Sequence, residues 1–131
     1  MKLGPIQEAW VKSLEEHPER QMAGSLGEIT SGDKYRACCL GEALCVMHAL
    51  GHRPSPFQGR DIYSYVKSGS LDKLDWQLLG LRGEWGNLGE PIMLSGVVCD
   101  SLAQANDRGV TWPKIAASIR ANPEKVFTKS V

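Results

Sequence analysis

The chain has 131 residues, 42% of them hydrophobic and 23% charged, with 15 Lys plus Arg set against 15 Asp plus Glu. These values fit one globular domain over 1–131 with its own core, and they exclude a disordered or membrane-embedded chain. The balanced charge removes the long-range attraction on which a general nucleic-acid binder relies, while leaving room for a local basic patch.

At the N-terminus, "MKLGPIQEAW" has no apolar run of signal-peptide length, and no segment approaches the roughly 20 apolar residues that span a bilayer. A cytoplasmic protein is expected, and its four cysteines are then expected as thiols and not as disulfides. Pro5 suits a first helical turn, and Ile6, Ala9, Trp10 and Leu14 share one face of a helix that ends near His17, before Pro18. Over 21–37, Leu26 and Ile29 precede a Ser31-Gly32-Asp33 turn signal and Tyr35, the pattern of a short hairpin. From Cys38 to Leu50 the apolar stripe of Leu40, Ala43, Leu44, Met47 and Leu50, with Gly51 at the C-terminal cap, predicts a buried central helix.

"GHRPSPFQGRD" reads as a loop and "IYSYV" (62–66) as a short strand. Ser70 is a candidate cap for a helix carrying Leu71, Leu74, Leu78 and Leu79. "RGEWGNLGEPIMLSG" is Gly-rich, with a small strand expected at Ile92 to Leu94. Val97, Val98, Leu102 and Ala105 outline a further helix ending near Gly109. Thr111 then caps the last helix, with Pro113 in its first turn and Ile115, Ala116 and Ile119 inward, closed by Asn122-Pro123. The expected fold is α+β: four or five helices with a small antiparallel hairpin or sheet.

Three stretches, "AWVKSLEEH" (Ala9 to His17), "YRACCLGEALCVM" (Tyr35 to Met47) and "SLAQANDRGVTWPKIAASIRANP" (Ser101 to Pro123), follow one another in an order that resembles a family of small proteins of tailed bacteriophages and prophages. That family carries "WV.AL", "CCLG.L" and "LND.G.S..EIA..I" motifs. The resemblance implies phage origin and a mainly helical fold with a small hairpin; it brings no reaction and no catalytic residues.

For the cysteines two chemistries compete with simple packing. Cys38, Cys45 and Cys99, or Cys45 with His48 and His52, are candidate soft-metal ligands, but the adjacent Cys38-Cys39 and the Gly51 break do not give the paired spacing of structural zinc. Cys38 or Cys39 at a helix N-terminus would have a lowered thiol pKa if it served as a nucleophile. Small buried hydrophobes on a Leu- and Met-lined helix are the favoured reading, with no metal and no cofactor. Residues 99–121 are a candidate helix-turn-helix, with Ala105, Gly109, Val110 and Ile115 at its small, turn and buried positions and Lys114, Ser118 and Arg120 as readers. Glu42 and Asp100 are the two acids in suggestive places, Glu42 being expected at the helix edge or paired with Arg36.

Arg53, Arg60, Trp76, Arg82 and Trp85 lie in irregular stretches and offer the guanidinium and aromatic groups that grip a phosphate and stack on a base, so the ligand site is expected there. The sequence therefore predicts a non-enzymatic binding protein, phage-encoded, that acts on the host by sequestering a nucleotide-type signal of antiviral defence or by occluding a host defence protein. No membrane partner is expected, and self-association stays open. A helix-turn-helix regulator is the alternative, and a thiol-dependent or hydrolytic enzyme comes third.

Overall fold

The structure, a computed structural model, describes residues 1–32, 34–57 and 70–131. Asp33 of the first turn signal, the expected strand at 62–66 and Arg60 lie outside the described residues. Within them run six helices and two antiparallel two-stranded sheets: α1 (Pro5–Glu16), β1 (Gly27–Ser31), β2 (Lys34–Ala37), α2 (Cys39–Ala49), α3 (Lys73–Leu78), β3 (Asn87–Leu94), β4 (Val97–Ser101), α4 (Leu102–Asp107), α5 (Trp112–Ala121) and α6 (Pro123–Val126). A 3-10 turn at Pro18–Arg20 follows α1. The α+β expectation holds, and no helix of the described residues is long and apolar enough to cross a membrane.

Helix α2 is the centre of the core. Cys39, Leu40, Ala43, Leu44 and Met47 are fully buried, and burying each large side chain contributes about 1.5–3 kcal/mol. The stripe runs one residue short of the expected one, because Leu50 has become the exposed C-cap. Gly51 then adopts a positive φ of 82°. Its N–H bonds to His48 O, while that of His52 reaches back to Met47 O at 2.8 Å, which closes the helix with its last carbonyls satisfied. Gly109 ends α4 in the same way, with φ 86° and Val110 N–H on Ala105 O at 3.0 Å.

Helix α1 packs on α2 and α5 through Gln7, Trp10, Val11 and Leu14, a face turned from the expected one towards Gln7 and Val11. Gln7 is buried without cost in lost hydrogen bonds. Its Oε1 accepts from the N–H groups of Gly4 and Val131, and its Nε2 donates to Leu79 O and to Lys129 O at 2.8 Å. Trp10 donates its indole N–H to Cys39 O at 2.8 Å and meets the Phe127 ring edge-on at 6.2 Å.

Two expectations need correction in the middle of the chain. The helix expected around Leu71 to Leu79 is present as α3 but spans only Lys73–Leu78, with Asp72 and not Ser70 at its N-cap; Leu71 and Leu79 are buried as expected, just beyond its ends, whereas Leu74 is 83% exposed. Val97 and Val98 belong to a strand. Ser95 and Gly96 both have positive φ, 51° and 78°, and join Leu94 to Val97 in register as the tight two-residue turn that matches strand twist. The β-branched side chains of Val97 and Val98 suit that strand, and the following helix starts only at Leu102, with Ser101 Oγ capping Gln104 N–H at 3.1 Å.

Candidate functional site

Glu42, on the first turn of the most apolar helix, is 1% exposed. A carboxylate can be held there only if charge and hydrogen bonds replace water. Ser13 donates to its Oε1 at 2.7 Å and Arg20 Nη1 at 3.3 Å, and the Tyr35 hydroxyl stands 2.9 Å from both carboxylate oxygens. Arg20 Nη1 also donates to the Tyr35 hydroxyl at 3.1 Å, and its guanidinium lies over the Tyr35 ring at 4.8 Å. Glu42 thus neither reaches the helix edge nor pairs with Arg36, whose own guanidinium reaches Gln21 O at 3.5 Å. Burial first, then the charges of Cys45 and Glu42, push the Tyr35 phenol well above its ordinary value, so it stays a donor.

This network forms one wall of an open cavity of about 470 Å³ between the first hairpin, the outer side of α2 and the 55–57 loop. Ile29 and Tyr35 are cross-strand partners that present apolar and aromatic surface to it, Phe57 tilts against Tyr35 with ring centroids 5.3 Å apart, and Arg20, Lys34 and His48 add polar and cationic groups. His48 Nδ1 is 3.1 Å from Arg53 O; a carbonyl only accepts, so Nδ1 carries the proton in that contact. A second cavity of about 390 Å³ shares Arg20, Lys34 and Tyr35 as its wall and adds Glu19, Thr30 and Arg36. Both volumes fall within the range of small-molecule sites, typically about 300–1,000 Å³; the first cavity has a mixed apolar and polar lining, and the second is lined by Glu19, Arg20, Thr30, Lys34, Tyr35 and Arg36.

The thiols behave as core. Cys38 and Cys39 are buried, and burial pushes Cys38 up to about 11 and Cys39 well above its ordinary value. This is opposite to the lowering that the nucleophile alternative requires: the Cys38 sulfur does accept from Gly41 N–H at 3.4 Å, but loss of water outweighs that bond. Cys45 at the cavity wall is pushed up to about 12, again chiefly by burial. Among the described residues no three His, Cys, Asp or Glu side chains come together as a metal would require.

The residues singled out in the sequence fall in several places. Trp76 and Arg82 line one shallow cavity of about 600 Å³ with Gln77, Leu81, Thr128 and Lys129. Arg82, however, donates to Glu124 O at 2.6 Å and to Lys125 O at 3.3 Å, so its guanidinium caps the carbonyl end of α6. Arg53 forms a 2.8 Å ion pair with Asp75. Trp85 is 40% exposed in the turn before β3, its carbonyl accepting from Ala103 N–H. Arg60 lies outside the described residues. Sequence reasoning passed over Arg20, Lys34, Tyr35 and Phe57; the available signals were an acid within an apolar helix and the cation-aromatic-cation run Lys34-Tyr35-Arg36.

In the α4–α5 pair, Asn106 is 1% exposed and joins both helices to the rest of the fold. Its Oδ1 accepts from Cys39 N–H and Trp112 Nε1–H at 3.0 Å, and its Nδ2 donates to Met22 O at 2.6 Å. Arg120, one of the proposed base or phosphate readers, is held by Glu8 and Glu15, both at 2.7 Å. Those two carboxylates would meet a phosphate backbone beside the cation. Asp100 is exposed on β4. Compared with models of protein families, with curated proteins and with solved structures, the chain matches none.

Proposed function

We propose that this chain is a non-enzymatic binding protein that holds a planar anion of the nucleotide class in the cavity between the first hairpin and α2. The observation that carries the reading is the pairing of the Tyr35–Phe57 aromatic wall with Arg20 and Lys34 at one cavity. Aromatic surface accepts a base by stacking, and guanidinium and ammonium groups accept phosphate oxygens. Glu42 balances part of the Arg20 charge, so its main effect is to fix the direction of that side chain, while Lys34 supplies the more mobile cation. In line with the phage-protein resemblance of its three motifs, the chain acts in the host cell by sequestering a nucleotide signal.

Equilibrium dialysis against ATP, AMP and cyclic AMP tests the reading. Saturable binding is expected with at least one of them, and heat denaturation should release it unchanged. Release of hydrolysed product would replace sequestration with catalysis, and failure of every nucleotide to bind would remove the nucleotide class.

A further inference from the structure

The cavity at Tyr35 and Phe57 does not stand alone. The neighbouring cavity, of about 390 Å³, shares Arg20, Lys34 and Tyr35 with it and adds Glu19, Thr30 and Arg36. Strand alternation places the Tyr35 side chain on one face of β2 and those of Lys34 and Arg36 on the other. Because Arg20, Lys34 and Tyr35 line both cavities, the two recesses share one wall, in which the Arg20 and Lys34 cations stand beside the Tyr35 ring. The first recess is the aromatic one. The second is polar, with Arg36 exposed at its edge and Thr30 in its wall, and it carries one acid, Glu19, which keeps the phosphate on the shared Arg20–Lys34 side and leaves this recess to a nucleoside.

Two recesses that share a cationic wall match a ligand with two similar lobes joined through phosphate. From this, and resting on the binding reading above, we infer that the site takes a dinucleotide: one base lies against Tyr35 and Phe57, the linking phosphate crosses Arg20 and Lys34, and the second nucleoside occupies the recess edged by Arg36. A mononucleotide fills one lobe and leaves the other to water. Once the first lobe is bound, the second enters its recess as an intramolecular contact at high effective concentration, which raises the affinity of the joined ligand above that of either half.

Isothermal titration with AMP, ADP, the linear dinucleotide pApA and cyclic di-AMP separates the possibilities. ADP carries two phosphates and one base, so it controls for charge against pApA. At least one of the two dinucleotides should bind tenfold or more tighter than ADP, and Arg36→Ala should bring it down to the ADP level while shifting the ADP affinity by less than twofold. Arg36 is exposed, so an unchanged melting temperature will show that the variant is folded. Equal affinity for ADP and both dinucleotides would overturn the two-lobed site and leave nucleotide binding intact. Binding of none of the four would overturn both.

Discussion

The Tyr35 hydroxyl lies 2.9 Å from each oxygen of Glu42, so that one side chain of the first hairpin is fastened to the central helix. The same carboxylate holds Ser13 of α1 and Arg20 of the 3-10 turn, and so it ties four consecutive pieces of the chain together. Glu42→Ala should cost about 2–4 kcal/mol in urea unfolding, since it leaves a partly buried guanidinium and two hydroxyls short of their acceptor. Glu42→Gln, which retains an acceptor, should cost less than half as much. Equal losses would mean that the negative charge, which both variants remove, carries the whole effect and that the acceptor retained by Gln contributes nothing.

Gly41 tests how closely the hairpin sits on α2. Helix propensity alone predicts that Ala would stabilise such an interior position by about 0.5–1 kcal/mol. A Cβ there would be driven into the backbone carbonyl of Leu26 and would crowd Ala37, and backbone cannot rotate away as a side chain can. Gly41→Ala is therefore expected to lower the melting temperature. A gain in stability would show that the 26–37 segment is not held against the helix.

Asn106 is predicted to be intolerant of truncation. In Asn106→Ala the buried N–H groups of Cys39 and Trp112 lose their acceptor, at about 1–3 kcal/mol for each orphaned group. Thermal unfolding should show a loss larger than that of Leu44→Ala at its lower bound of about 2 kcal/mol.

Raised thiol values make the fold sensitive to alkali. Cys38 and Cys45 are pushed up to about 11 and 12 from an ordinary value of 9.0. Between those limits the unfolded chain has released protons that the folded chain still holds. Stability is thus fully present below pH 9 and falls as pH rises from 9 towards 11–12. Urea midpoints from pH 7 to 10.5 should show the decline, and Cys45→Ala should reduce its slope. At pH 8 the native thiols should label slowly with iodoacetamide and readily in denaturant.

What was legible beforehand follows from the range of each interaction. The core face of α2 and the ends of α2, α4 and α5 are set by neighbours within one or two turns, and Leu40, Leu44, Gly51, Gly109 and Thr111 announced them. Val97 and Val98 were misread because apolar residues in a short run fit either period, although the Ser95-Gly96 pair carried the hairpin signal. The cavity was hidden for another reason. Arg20, Tyr35 and Glu42 meet only when the hairpin folds onto α2, and no spacing along the chain encodes that. Arg53 and Arg82 looked available because their partners, Asp75 and the carbonyls of Glu124 and Lys125, lie 22 or more residues away.

Placement of the binding site between the first hairpin and α2 is tested most directly by isothermal titration of wild type, Lys34→Ala with Phe57→Ala, and Trp76→Ala with Arg82→Ala, using the nucleotide that binds wild type most tightly. The hairpin-side pair should weaken binding tenfold or more, equivalent to about 1.4 kcal/mol, while the Trp76–Arg82 pair leaves it within twofold. Loss of binding in the Trp76–Arg82 variant with full affinity in the Lys34–Phe57 variant would contradict the account.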